Sequence, residues 1–245
     1  KNVDLKKSLF IIISKSGNTL ETLININLLE DKISSKNTII ITENSQNLLN
    51  KFAKKKKILI VEHKNYIGGR YSVLSEVGMI PAYFMGLKIE FFRKNLLSLF
   101  KSKRINFLID NVIKLSHIYK IKKINSIILL NYTPEVNNFL YWFQQLIAES
   151  LGKKGKGIIP IVSPAPKEHH SLMQLYLDGP KDKLFYIFNL KLNRKMKINL
   201  SAFEKKFTTA KYKDFSHVKE AQKNALIKVL KSKNIPFREF EINKR

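Results

Sequence analysis

The chain of 245 residues has no cysteine. Disulfide frameworks, thiolate nucleophiles and cysteine-ligated zinc are thereby excluded, and a reducing compartment such as the cytoplasm suits the composition. Nowhere do about 18 or more apolar residues run together, so no membrane-spanning helix is expected. Near the amino end Lys6 and Lys7 precede the apolar run 9–13. That run is too short for a secretory h-region and leads into Ser14-Lys15-Ser16 without a small-residue cleavage site. Acidic residues are few: 19 Asp and Glu stand against 45 Lys and Arg, a formal charge of +26. Such an excess raises the question of nucleic acid. The lysines, however, are spread over most segments, and the one dense run, Lys54-Lys55-Lys56-Lys57, falls at an expected helix end, where cations suit the dipole. No basic stripe interleaved with aromatics and no nucleic-acid motif is present, so no specific nucleic-acid partner is expected. Lys, Asn and Ile are abundant throughout, as AT-rich codons would produce.

What is present is a hydrophobic fraction of 44%, ample for a core, in a chain long enough for one or two domains. Short β-branched runs at 9–13, 38–42, 58–62, 126–131 and 158–162 read as strands, the first as one buried on both faces. Between them lie helical patterns, with helices expected at 19–33, 45–55, 71–86 (Pro81 as a kink), 95–120, 134–151, 170–177 and 217–233, and further strands at 183–192 and 237–242. The alternation predicts βαβ units and parallel sheets. No short-period repeat appears, but a coarse one does: both halves carry strand-then-loop units, as two related α/β lobes would give, with the cut placed after residue 94.

Four stretches are candidates for chemistry. Ser14-Lys15-Ser16-Gly17-Asn18-Thr19 is a hydroxyl-rich turn between a strand and a helix start. There the backbone N–H groups and the partial positive charge suit a phosphate monoester, at the carboxyl end of a strand where open α/β sheets bind ligands. It is not a Walker loop. Gly68-Gly69-Arg70-Tyr71-Ser72 joins a close-approach glycine to an always-charged guanidinium, a combination suited to a developing oxyanion. The helix around 142–151 has Phe139, Phe143, Leu146 and Ile147 as its expected buried face and ends at Gly152, while Gln145 and Glu149, four apart, share another face. Glu149 is a candidate general base, best held near the working pH by partial burial. Last, His169 and His170 are adjacent, so only one faces a given pocket, and Gln174 follows His170 by four. Metal binding by Glu168, His169 and His170 lacks the HExxH spacing, and none is expected.

These blocks, Ser14–Thr19, GGRYSVLSEVG from Gly68, Gln145 with Glu149-Ser150, and His170 with Gln174, resemble the signature blocks of the glucose-6-phosphate isomerase (phosphoglucose isomerase) family, in that family's order. The resemblance covers roughly residues 5–242. Where many members have Ser-Lys-Thr-Phe-Thr-Thr, this chain keeps hydroxyls at the first, third and sixth positions. The resemblance implies two doubly wound parallel-sheet sugar isomerase (SIS) lobes, the first incomplete: 1–94 as the later part of one domain and 95–245 as a second without its final helix. It implies interconversion of glucose 6-phosphate and fructose 6-phosphate, in glycolysis and gluconeogenesis, through a cis-enediol(ate) and without a cofactor. Ser14, Lys15, Ser16 and Thr19 would hold the phosphate, and Gln145 and Gly69 would contact substrate. Arg70 would stabilise the enediolate and Glu149 would move the proton. His170 would assist ring opening from across a homodimer interface. A glycine-rich loop with a phosphate-binding serine and a ring-opening lysine on a last helix belong to the family pattern but are not matched here. The expectation is therefore of an internal or shortened portion of the enzyme. A non-catalytic sugar-phosphate sensor of the same fold is the alternative; it would keep Ser14, Ser16 and Thr19 and need neither Glu149 nor Arg70.

Overall fold

A computed structural model of the chain describes residues 3–94, 96–191 and 214–243. Backbone contacts group it into two compact units, Lys1–Ile105 and Asn106–Arg245. The helix start expected at Asn95 and the strand end expected at Leu192 lie outside the described residues.

The first unit is built on three parallel strands, β1 (Phe10–Ile13), β2 (Thr38–Thr42) and β3 (Leu59–Glu62), in the order β1-β2-β3. The helices α1 (Leu20–Leu28) and α2 (Leu48–Lys56) make the crossovers. Ile26, Ile33, Ile40, Leu49, Ala53 and Ile58 form its core. Asn47 caps α2, its Oδ1 accepting from the Asn50 N–H at 2.8 Å, and Lys54, Lys55 and Lys56 fill the last turn, where the dipole favours them. One expectation needs correction: β1 is not buried on both faces. All four of its residues are half-buried: among the described residues β1 stands at the edge of this sheet, and its flank, with Thr22, Asn25 and Leu29, lines an apolar groove of about 260 Å³. The helix expected from Tyr71 also starts later. Gly69–Leu74 is a 3-10 turn, and α3 runs Glu76–Phe84. Ser75 breaks the two apart by accepting the Val77 N–H, and Gly78 packs so tightly that a Cβ there would lie 2.0 Å from the Val73 carbonyl oxygen. A short α4 (Ile89–Arg93), not foreseen, follows. The next helix, α5 (Ser102–Ile121), carries the division between the units.

The second unit holds β4 (Ser126–Asn131), α6 (Asn137–Leu151), β5 (Ile159–Pro164), α7 (Met173–Asp178), β6 (Lys183–Lys191), α8 (Phe215–Ser232) and β7 (Phe237–Asn243). The four strands among its described residues are all parallel, in the order β5-β4-β6-β7. Alternate residues point to opposite faces. Ile128, Leu130, Phe185 and Ile187 pack with Tyr176 of α7 and Leu226 and Leu230 of α8. Ile127, Leu129, Leu184 and Tyr186 pack with Leu115 and Ile118 of α5 and Leu140 and Phe143 of α6. Helices therefore cover both faces, the doubly wound arrangement, and the continuous apolar run of β4 follows from it. Phe188 and Phe240, paired in register across β6 and β7, stack at 4.8 Å between ring centroids, worth about 1 kcal/mol beyond their buried area. Thr133, the N-cap residue before Pro134, makes no side-chain capping bond. Its Oγ1 instead accepts the Leu190 N–H at 2.8 Å, tying the end of β4 to the end of β6.

Candidate active site

Two of the four candidate stretches meet at the carboxyl edge of the first sheet. The Ser14–Thr19 turn leaves β1 there, its start fixed by the Ser14 N–H donating to the Ile41 carbonyl at 3.1 Å. Ser14 is buried, and its Oγ lies 2.8 Å from Thr19 Oγ1. Ser16 and Thr19 are exposed, and Thr19 is the N-cap of α1 without a side-chain capping bond. Gly17 holds φ +64°, and its carbonyl accepts the Leu49 N–H at 3.0 Å. The loop after β3 carries Gly69 and Arg70. The Arg70 guanidinium lies 4.7 Å over the Tyr71 ring, an arrangement that holds it by cation–π attraction. Lys15 joins the two stretches: its ammonium donates to the carbonyls of Asn65 (3.1 Å) and Ile67 (2.9 Å) and pairs with Glu43 at 3.2 Å. Its tip is therefore directed at loop carbonyls.

The other two stretches lie in the second unit. Gln145 and Glu149 share an exposed face of α6, and the Gln145 amide donates to Glu149 Oε1 at 2.8 Å. The partial burial expected of Glu149 is not found in this unit by itself. The buried side of α6 also differs from expectation. Leu140 is its fully buried residue, while Phe139, although stacked on Phe143, is 46% exposed. The helix ends at Leu151, and Gly152 is its C-cap.

Of the two adjacent histidines, the structure turns His169 inward and leaves His170 exposed. His169 Nε2 lies 2.7 Å from the Tyr132 hydroxyl. Burial pushes the Tyr132 phenol well up, and burial together with the neighbouring His170 pushes His169 down. A neutral ring next to an undissociated phenol means that Tyr132 O–H donates to Nε2 and that the ring proton resides on Nδ1. Tyr132 had no signal in the sequence, since the contact spans 37 positions. The same holds for His63 and Glu76 in the first unit, where His63 Nδ1 meets Glu76 Oε1 and Nε2 lies 3.1 Å from the Ile67 carbonyl oxygen.

Chain topology fixes the relation between Glu149 and His170. A helix that returns the chain between parallel strands runs antiparallel to them. The end of α6 therefore lies at the amino edge of the second sheet. The Gln144 amide bears this out, donating at 2.7 Å to the carbonyl of Pro160, near the start of β5. The histidines follow the other end of β5 and reach Tyr132, just past the carboxyl end of β4. Glu149 and His170 of one chain thus belong to opposite edges of one sheet. Among the described residues no group of three or more His, Asp or Glu side chains is placed to hold a metal ion, and no helix is long and apolar enough to cross a membrane.

The family model described as phosphoglucose isomerase matches residues 1–159. The chain belongs to the phosphoglucose isomerase family. Similar proteins include glucose-6-phosphate isomerases of Methanocaldococcus jannaschii, 35% identical over 193 residues (75% of this chain, 48% of the relative), and of Campylobacter jejuni, 30% identical over 200 residues (78% and 49%). That of Mycoplasmopsis pulmonis is 32% identical over 240 residues (82% and 55%). The chain thus spans about half the length of the curated relatives it matches. Among solved structures, a hypothetical protein from Thermus thermophilus superposes with a TM-score of 0.81 at 22% identity, covering 98% of this chain and 61% of that one. A glucose-6-phosphate isomerase from Chlamydia trachomatis gives 0.62 at 19%, covering 81% and 43%. At these identities the structures establish the shared fold. Residues 1–159, the part matched by the phosphoglucose isomerase model, include three of the four candidate stretches; the one at His170 lies beyond them.

Proposed function

We propose that this chain supplies the phosphate-binding turn, the oxyanion-stabilising arginine and the general base of an aldose–ketose isomerase that interconverts glucose 6-phosphate and fructose 6-phosphate, a step shared by glycolysis and gluconeogenesis. The observation that carries the reading is the clamp at the carboxyl edge of the first sheet. There Lys15, within the Ser14–Thr19 turn, donates to the carbonyls of Asn65 and Ile67 in the loop that leads to Gly69 and Arg70. Hydroxyls suited to a phosphate and a guanidinium suited to an enediolate oxygen are thereby held on one scaffold.

In the open-chain aldose, the Glu149 carboxylate removes the C2 proton. The C2–H electron pair forms the C1–C2 double bond, and the carbonyl pair moves to O1, giving the cis-enediol(ate). Arg70 stabilises the negative oxygen, the kind of interaction that is stronger in the transition state than in the ground state. Glu149 then returns the proton to C1, where the C1–C2 double-bond pair takes it up, while the proton on O2 passes to O1 and the O2–H pair makes C2 the carbonyl. Nothing is oxidised or reduced overall, and no cofactor is called on. Ser14, Lys15, Ser16 and Thr19 hold the phosphate with α1 behind them, Gly69 lets substrate approach the backbone, and Gln145, which donates to Glu149, contacts substrate beside it. The active form is a homodimer in which His170, exposed on its own chain, opens the sugar ring in the partner's site. The opposite-edge placement of Glu149 and His170 supports this reading. The domains run 1–94 and 95–245, and the protein works in the cytoplasm.

The test couples fructose 6-phosphate conversion to a glucose-6-phosphate dehydrogenase and follows NADPH. Turnover that depends on Glu149 and Arg70 is expected. A protein that binds the sugar phosphate without turning it over would replace this reading with that of a sensor.

A further inference from the structure

His63 is 1% exposed, and both of its ring nitrogens face oxygens. One oxygen is the Ile67 carbonyl, which only accepts, so Nε2 carries a proton. The other belongs to Glu76, the first residue of α3. Burial pushes the Glu76 carboxyl up, but the His63 bond and the helix-start backbone N–H together hold it below the usual carboxylate range. An ionised carboxylate also only accepts, so Nδ1 carries a proton too. The Ile67 carbonyl receives a second donor, Lys15 Nζ at 2.9 Å, which fills both of its lone pairs. The other charged groups near the pair are Lys64, paired with Glu62, and Glu43 on Lys15. The loop from β3 to Arg70 is thus fastened at the Ile67 carbonyl by two donors, His63 Nε2 and Lys15 Nζ.

We propose that His63 and Glu76 are positioning residues for Arg70: the His63 ring donates from both nitrogens, to the Glu76 carboxylate and to the Ile67 carbonyl, and so fixes the loop that presents Gly69 and Arg70 to the reacting oxygen. The link to a reacting oxygen rests on the function proposed above; the brace itself does not. The pair works through Arg70, because neither side chain points away from these partners. Removing Glu76 takes away the partner that sets the orientation of the His63 ring, so its Nε2–H is no longer held toward the Ile67 carbonyl. A glutamine at 76 restores the fit by a different route. Its amide donates to Nδ1, and a neutral ring keeps its proton on Nε2 for Ile67.

Three measurements decide it. In ¹⁵N-histidine-labelled protein at neutral pH, with His63 assigned through His63→Gln, both ring nitrogens of His63 are expected at N–H shifts; one bare nitrogen overturns the donor assignment. Amide exchange reads the Ile67 and Tyr71 N–H groups, which donate to Lys64 and Gly68 carbonyls. Glu76→Ala is expected to speed both by about tenfold or more, and Glu76→Gln to keep both within about threefold of the parent, with the β4 and β6 amides unmoved. Equal loop protection in the parent and in Glu76→Ala overturns the brace. In the coupled assay, Glu76→Ala lowers kcat with KM little changed, and Glu76→Gln recovers most of the loss. Unchanged kcat with a loosened loop overturns the link to Arg70. A parent without turnover defeats the isomerase reading alone, and the first two measurements still decide the brace.

Discussion

Gly17 turns the backbone at φ +64°, and a Cβ built there would lie 2.1 Å from the Asn47 side chain that caps α2. A Gly17→Ala substitution therefore meets two obstacles, a left-handed backbone and a collision with a cap that also donates to Ser45 Oγ at 3.0 Å. A loss of roughly 1–3 kcal/mol is expected, read as a lower midpoint in urea unfolding. Glu149 is a different kind of residue: exposed and hydrogen-bonded to Gln145, it carries little of the fold. Glu149→Gln should leave the unfolding midpoint within about 0.5 kcal/mol of the parent while lowering isomerase kcat by about 10²-fold or more. A loss under about threefold removes Glu149 from the base role. Glu76 contributes through pH. Its folded carboxyl is held below its ordinary value of 4.5, so its contribution is present above that value and fades as pH falls through the lower, folded one. In the carboxylate range the stability gap between the parent and Glu76→Leu should therefore be full at about pH 5 and narrow as pH falls to about 3. Urea titrations across that interval check it, and a gap that widens from about pH 5 to about pH 3 contradicts the sign.

At the scale of elements, α8 is locked to β7 through one cation. Lys223 is 2% exposed and meets Glu220 at 2.8 Å, Glu239 more closely, and Glu241 at 3.9 Å. Burial alone would lower the ammonium, but the hydrogen bonds to Glu220 and Glu239 raise it above its ordinary value. Its stabilisation is complete below the unfolded value and is lost only as pH rises through the higher, folded one. Lys223→Met leaves carboxylates facing one another. Their partial exposure, 31–40%, lets water reach them, so a loss of about 2–3 kcal/mol is expected, below the usual cost of breaking a fully buried pair. Adding Glu239→Leu should recover part of it, and a double variant less stable than Lys223→Met would contradict the account. Legibility in the sequence follows the same physics. The limits of β2 and β4 could be read because buried parallel strands are continuous apolar runs. The 3-10 turn at Gly69–Leu74 could not, because what ends it is the Ser75 cap and the close approach of Gly78 to Val73, both tertiary facts. The half-exposure of β1 was equally hidden, since Phe10–Ile13 has the same composition whether a strand lies in the middle of a sheet or at its edge.

On the scale of the molecule, the motif blocks were legible because each is contiguous: Ser14–Thr19, Gly69-Arg70 and Gln145…Glu149 needed no contact map. What holds them was not. The Lys15 clamp reaches 52 positions to Ile67, and the Tyr132–His169 bond reaches 37. The consequence of largest scale comes from topology alone. A helix returning between β4 and β5 carries Glu149 to the amino edge of the second sheet, while His170 stays with the carboxyl edge. A site that uses both must take them from two copies, and in a twofold dimer it does so twice. The most direct test mixes Glu149→Gln with His170→Ala protein after unfolding and refolding them together. Each variant alone is expected to be nearly inactive. Random pairing makes half of the dimers mixed, each with one intact site, so about a quarter of the parent's isomerase turnover should return. A mixture no more active than its two components would place Glu149 and His170 in the site of a single chain and contradict the account.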